Sequence, residues 1–329
     1  MRFGLIGAGR IGRIHGKNAA NRADGELRLV ADADAKAAKA LADETGAKVA
    51  DIDGVIGDKS IDAVLICAPT DMHADLIERA AKAGKAVFCE KPVDLDSDRI
   101  RKCLKAVEAA GATLMIGFNR RFDPNFAELK ARLDKGVAGE VEIVSVISRD
   151  PSPPPVSYIA RSGGLFRDMM IHDFDMARFL LGEEPIAVTA VGGSLVDKAI
   201  GAAGDVDTAA ALLETKSGRI AQITNSRRAT YGYDQRVEVH GSKGMLRAGN
   251  VLETTVEFAG AKGFSSDPAL NFFLERYGRA YEAELDAFVK AVKSGKKPSP
   301  DGNDGLRAQV LADAATRSRE TGKRIEIKA

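Results

Sequence analysis

The sequence predicts an α/β chain in two parts. Residues 1–120 should form a doubly wound parallel sheet, and residues 121–329 an α+β domain with an open, mainly antiparallel sheet. Three observations predict this. Apolar strand patterns alternate with helical ones at short spacing through the first third of the chain. A glycine-rich turn follows the first strand directly. Beyond Arg121 the alternation gives way to successive strands separated by polar turns.

Residues 2–6 read as a short buried strand and residues 26–31 as a second, ending at Asp32. Residues 34–44 form an alanine-rich helix stopped near Gly46. The apolar run 61–68 is a strand, followed by a helix over 71–83 that closes at Gly84. Strands over 86–89 and 113–117 flank a helix over 97–110. In the second part, residues 141–148 are a strand ahead of the rigid stretch Pro151-Ser152-Pro153-Pro154-Pro155. A helix over 168–181 comes next, then strands near 187–191, 208–214, 220–226, 236–240 and 244–247. Helices over 279–293 and 305–321 close the chain.

Composition narrows the function classes. Lys plus Arg (48) against Asp plus Glu (47) leaves a formal net charge of +1, so no global field favours nucleic acid or an anionic membrane. No apolar run reaches the ~18–20 residues of a membrane span. Cys67, Cys89 and Cys103 fit neither a disulfide framework nor a zinc ribbon, which points to a reducing, cytoplasmic setting. The chain opens directly into a strand, so no signal peptide is expected.

Gly7-Ala8-Gly9-Arg10-Ile11-Gly12 follows a strand and opens a helix. In such a loop the first glycine permits the turn, the second admits a pyrophosphate, and the third lets helix and strand pack closely. The helix N-terminus adds unpaired N–H groups and partial positive charge. Asp32 ends the second strand about twenty residues further on, where a ribose-binding carboxylate belongs. A 2′-phosphate there would place like charges together, so NAD is expected over NADP. This is a Rossmann nucleotide site. Ala68, Pro69 and Thr70, after the strand at 61–68, and Glu90 with Lys91 complete the expected cofactor contacts. His15 and His73 are read as packed or capping side chains.

Cys89-Glu90-Lys91-Pro92 ends another strand of this sheet, where ligands of doubly wound sheets bind. A buried lysine there can hydrogen-bond a reacting hydroxyl. The second chemical element runs from Gly163 to Asp175. On a helical wheel Asp168, His172 and Asp175 share one face within about 60°. Met169, Met170, Phe174, Ala177, Leu180 and Leu181 form the apolar face, and Asp173 falls among them and needs a buried partner. Asp168 and His172 can be a solvated ion pair or a carboxylate–imidazole dyad that takes a proton from an alcohol. Arg120 and Arg121 follow a strand end and suit either polyol recognition or interdomain pairing. Tyr231 and Tyr233 flank Gly232 in a loop. No Cys/His cluster has ligand spacing, so no metal is expected.

Together these residues resemble the glucose–fructose oxidoreductase, inositol dehydrogenase and rhizopine-catabolism family, Gfo/Idh/MocA. The glycine loop Gly7–Gly12, Glu90-Lys91-Pro92 and Asp168 with His172 match its three signatures in order, and the resemblance spans essentially the whole chain. The stretches beginning at Phe118, Ser148, His172 and Tyr231 are most similar to the inositol 2-dehydrogenases. The resemblance implies a catalytic trio of Lys91, Asp168 and His172. Asp175, Arg121, Asp150 and Tyr231 become contacts to ring hydroxyls. It further implies a homo-oligomer, tetramer or dimer, built through the open sheets. The reaction implied is NAD-dependent oxidation of a ring hydroxyl, myo-inositol to 2-keto-myo-inositol foremost. Alternatives are a scyllo-inositol or sugar dehydrogenase, an NAD-dependent glycoside hydrolase and a non-catalytic regulator.

Overall fold

The computed structural model describes residues 1–327. Its first segments are β1 (Arg2–Ile6), α1 (Arg10–Asn21), β2 (Glu26–Ala31), α2 (Ala35–Thr45), β3 (Lys48–Val49), α3 (Ile52–Gly57), β4 (Ala63–Ile66), α4 (Thr70–Lys82), β5 (Ala86–Glu90), α5 (Ser97–Ala109) and β6 (Leu114–Gly117). All six strands are parallel, in the order β3-β2-β1-β4-β5-β6. Strand order reverses between β1 and β4, so the loops after these strands flank the crevice where such sheets bind ligands. Strands β4 and β6 and the Ala86–Cys89 part of β5 are apolar and buried, as expected where helices cover both faces.

The chain continues through a 3-10 turn (Asn119–Phe122), α6 (Pro124–Asp134), β7 (Val141–Arg149), α7 (Val156–Ser162), α8 (Leu165–Asp168) and α9 (Met170–Leu181). Then come β8 (Pro185–Gly193), α10 (Lys198–Ala202), β9 (Thr208–Thr215), β10 (Ile220–Ser226), β11 (Asp234–Gly241) and β12 (Gly244–Ala248). A hairpin, β13 (Glu257–Gly260) and β14 (Gly263–Ser266), precedes α11 (Phe273–Arg276), α12 (Gly278–Ser294), α13 (Gly302–Thr321) and β15 (Ile325–Glu326). The second sheet has the order β12-β11-β7-β10-β9-β8-β15. Only the β7–β10 pair is parallel, so the sheet is mainly antiparallel as the sequence predicts. α9 packs on β7 and β10, and the inward positions of β9 and β10 alternate with outward ones. The outward face carries Ile143, Leu212, Ile220 and Met245 exposed.

The chain divides into two compact units, Met1–Phe122 with Arg279–Gln309 and Asp123–Gly278 with Val310 onward. The sequence reading assigns residues 279–309 to the second domain; here they join the first. The reason is packing, since Leu285, Phe288 and Val289 complete one core with Phe3, Leu5, Leu65 and Phe88. Among the described residues no helix is long and apolar enough to cross a membrane.

Candidate active site

The nucleotide half is built by glycines with distinct jobs. Gly7 follows β1 at φ +99°, and a Cβ there would lie 2.4 Å from the Cys67 carbonyl oxygen, which closes the turn against β4. A Cβ on Gly12 would fall 1.8 Å from the Gly7 carbonyl oxygen, so only glycine lets α1 sit this close to β1. A Cβ on Gly9 would meet nothing within 4 Å. Gly9 therefore leaves its backbone open to a ligand, and no side chain caps the first turn of α1, which carries Arg10 and Ile11. This arrangement fits a dinucleotide pyrophosphate.

Asp32 stands just beyond β2. Its Oδ2 accepts from the Ala8 N–H at 2.5 Å and its Oδ1 from the Asp34 N–H at 2.7 Å. The carboxylate is thus tied to the glycine loop at the position a ribose needs. Ala68 and Pro69 lead from β4 into α4, whose first residue is Thr70. His73 binds both flanking loops, with Nε2 2.7 Å from the Ala68 carbonyl and Nδ1 2.7 Å from the Pro92 carbonyl. Burial holds its pKa below the ordinary imidazole value. His73 is thus the packed residue that the sequence predicts, and it also ties the two loops.

Lys91 is half-buried at the carboxyl end of β5, on the same sheet edge as the glycine loop and Ala68. Glu90 turns away from that edge: its Oε1 lies 2.8 Å from Nε2 of His15 on α1. Arg121 is buried, donating to Asp304 at 3.0 Å and to the Ser299 hydroxyl at 3.2 Å. Burial pushes the Cys67 and Cys89 thiols well above their ordinary pKa, so neither is a thiolate nucleophile.

The second unit carries Asp168 and His172, and here the structure corrects the sequence. The predicted helix over 168–181 is two pieces, with Asp168 ending α8 and His172 in the first turn of α9. The entry to α8 is fixed ahead of the predicted start. Gly163 and Gly164 both have positive φ, and Asp205 accepts from the Leu165 N–H at 3.1 Å, fixing where that short helix starts. Asp168 is held by two groups absent from the sequence reading. Tyr158 Oη donates to its Oδ1 at 3.2 Å, and Arg227 Nη2 to its Oδ2 at 3.3 Å. Arg227 is buried, and its other terminal nitrogen lies 4.0 Å from Asp150. The signal for Arg227 was its place at the end of β10, which the register sets beside the end of β7.

Asp175 does not lie on an open face. It is 1% exposed and 3.7 Å from Arg178, because α9 is buried nearly all round. The apolar face is as predicted, with Met169, Met170, Phe174, Ala177, Leu180 and Leu181 all buried. Asp173 has the buried partners its position demanded, accepting from Ser148 Oγ at 2.5 Å and Asn225 Nδ2 at 2.8 Å. Those partners anchor α9 to β7 and β10 and so fix where His172 stands. Tyr231 is half-exposed; its hydroxyl donates to Asp234 at 2.8 Å and accepts from Arg149 at 2.7 Å.

Residues 1–118 match the oxidoreductase family with an NAD-binding Rossmann fold, and residues 126–247 match the GFO/IDH/MocA C-terminal domain. An inositol 2-dehydrogenase of Rhizobium meliloti (strain 1021) is 56% identical over 327 residues, 99% of each chain. A myo-inositol 2-dehydrogenase of Thermotoga maritima is 46% identical over 99% of this chain and 98% of that one. The solved structure of scyllo-inositol dehydrogenase from Lactobacillus casei, with bound NAD(H) and scyllo-inositol, gives a TM-score of 0.92 at 31% identity, covering 99% of this chain and 98% of that one. This chain belongs to the GFO/IDH/MocA family of NAD-binding oxidoreductases.

Proposed function

We propose that this NAD-dependent oxidoreductase oxidises a secondary ring hydroxyl of an inositol to the ketone, with myo-inositol to 2-keto-myo-inositol as its reaction. The observation that carries this reading is the end-to-end similarity to inositol 2-dehydrogenases. Bound NAD supplies the hydride acceptor. Gly9 and the open first turn of α1 hold its pyrophosphate, and Asp32 accepts from the adenosine ribose hydroxyls. His172 takes the proton of the reacting hydroxyl as general base. Lys91 donates to the same oxygen and stabilises negative charge as it develops. Asp168, held by Arg227 and Tyr158, orients the imidazole and balances its positive charge. Asp150, Tyr231, Arg121 and Asp175 are the candidate contacts to ring hydroxyls.

A neutral polyol is recognised by hydroxyl positions alone. Each donor left unpaired by the wrong epimer costs roughly 1–3 kcal/mol, so one contact can give ~10²-fold selection. The deciding experiment is a turnover screen of inositol epimers and aldoses with NAD and NADP in parallel. We expect myo-inositol with NAD to give the highest kcat/KM. A preference for scyllo-inositol would reassign the epimer, and a preference for an aldose or NADP would overturn the reading. His172→Ala should lower kcat about 10²–10⁴-fold while NADH binding persists.

The reading includes a cytoplasmic homotetramer. Three free cysteines suit a reducing compartment. The exposed apolar side chains on the second sheet support association through that face. Sedimentation at several concentrations tests the oligomer, and a monomer would refute it.

A further inference from the structure

The first unit contains a buried group of ionisable side chains that no step above uses. His15 on α1, Glu90 at the end of β5 and Glu284 on α12 bring one ligand atom each within 4.8 Å of one another. His15 Nε2 lies 2.8 Å from Glu90 Oε1 and 3.6 Å from Glu284 Oε1. The imidazole is fixed by packing. Its ring packs tilted against Phe88 with centroids 4.8 Å apart and meets Tyr281 edge-on at 5.6 Å.

Glu284 is 0% exposed, and no donor reaches either of its carboxylate oxygens among the described residues. Glu90 is better served. It accepts from the His15 imidazole, and its Oε2 lies 3.3 Å from the Lys91 backbone N–H. It fits only because β6 places Gly117 opposite, where a Cβ would lie 3.0 Å from the Glu90 carboxyl carbon. Cys67 and His73 also border Glu90, and neither balances a second anion: one is a neutral thiol, the other is bound to two carbonyls. With ligand atoms within 4.8 Å and Glu284 fully buried, a second ionised carboxylate beside Glu90 is strongly disfavoured. The one lacking donors keeps the proton. Burial, and secondarily the charge on Glu90, push the pKa of Glu284 well above the ordinary carboxyl range.

We propose that Glu284 is a protonated acid in the working enzyme, and that Glu284 and His15 are positioning residues that hold the Glu90 carboxylate against the Lys91 backbone. Lys91 directly follows Glu90, so a shift of this carboxylate moves the lysine. A second negative charge would drive Glu90 from its place. The proposal rests on the reading that Lys91 acts on the reacting alcohol.

The test uses the full-length enzyme. Wild type at pH 7 should show a protonated-carboxyl infrared band that Glu284→Gln lacks; no such difference overturns the proposal. Glu284→Leu should lower kcat at least tenfold with NADH affinity within about threefold, and Glu284→Gln should restore kcat to within about twofold of wild type. Unchanged turnover in Glu284→Leu, or failure of the glutamine to rescue, overturns it. Lys91→Ala run in parallel separates the two ideas. If it keeps full turnover, the role of Lys91 falls; if it loses turnover while Glu284→Leu does not, only the positioning role falls. A stoichiometric metal in the purified protein, lost from Glu284→Gln, would make the group a metal site and overturn the proposal.

Discussion

Glu284→Gln should alter how stability depends on pH, and the sign is fixed by the burial of this residue. The folded-state pKa of Glu284 lies well above its ordinary value near 4.5. Folded protein therefore holds a proton that unfolded chain releases above pH 4.5. The stabilisation is fully present below the unfolded pKa and is lost as pH rises toward the folded one. One retained proton gives a slope of about 1.4 kcal/mol per pH unit. Over the range in which the folded protein keeps this proton, the wild type should therefore lose stability relative to the glutamine variant as pH rises. Glutamine keeps the shape and neutrality of the acid but cannot ionise. Urea unfolding of both proteins at pH 6, 7 and 8 measures the difference, and titrating groups distant from Glu284 cancel in it. Parallel stability curves would show that Glu284 ionises in the folded state, and the argument from buried, donor-free oxygens would fail.

Asp32→Ala should remove charged acceptors worth about 1.5–3 kcal/mol each, raising the Kd for NADH roughly 10–150-fold and relaxing discrimination against NADPH. Fluorescence titration with both cofactors checks this, and unchanged preference would remove Asp32 from the site. Gly12→Ala places a methyl 1.8 Å from the Gly7 carbonyl oxygen, so α1 must move off β1. Abolished NADH binding and a stability loss of about 1–3 kcal/mol are expected; intact binding would refute the close-packing role. Arg227→Met should lower kcat roughly tenfold or more by freeing Asp168, and Arg227→Lys should recover part of it, because a lysine cannot reproduce the forked contact. Turnover equal to wild type in Arg227→Met would show that Asp168 needs no such support.

The features legible in the sequence are those fixed by short stretches of chain. The glycine loop and Asp32 belong to one βαβ unit, so spacing alone places them together. The demand of Asp173 for a buried partner follows from helical periodicity. The sequence was silent where distant segments meet. Asp205 accepts from the Leu165 N–H from across the second unit and so starts α8 three residues before the predicted helix, while Asp168 and His172 fall in two short helices joined at Met169. Arg227 reaches Asp168 only through the parallel pairing of β10 with β7. His15 was correctly read as a packed histidine, but its neighbour Glu284 comes from near the other end of the chain, on a helix whose return to the first core no local pattern announces.

These distant contacts share a physical form. In each unit a partly exposed chemical group is next in sequence to, or bonded to, a more deeply buried polar one: Lys91 follows Glu90, which meets buried His15 and Glu284; Asp168 is bound by buried Arg227; and His172 precedes Asp173, buried with Ser148 and Asn225. An exposed side chain on its own samples several rotamers, and ordering it costs up to ~2 kcal/mol. A buried polar group has no such freedom, since displacement leaves it unsatisfied at a cost of about 1–3 kcal/mol, more if charged. Rigidity is therefore set from behind, by residues that need not touch the substrate. Substitutions in the buried layer should change kcat more than NAD affinity, whereas substitutions in the glycine loop should do the reverse. That division separates positioning from binding in this enzyme.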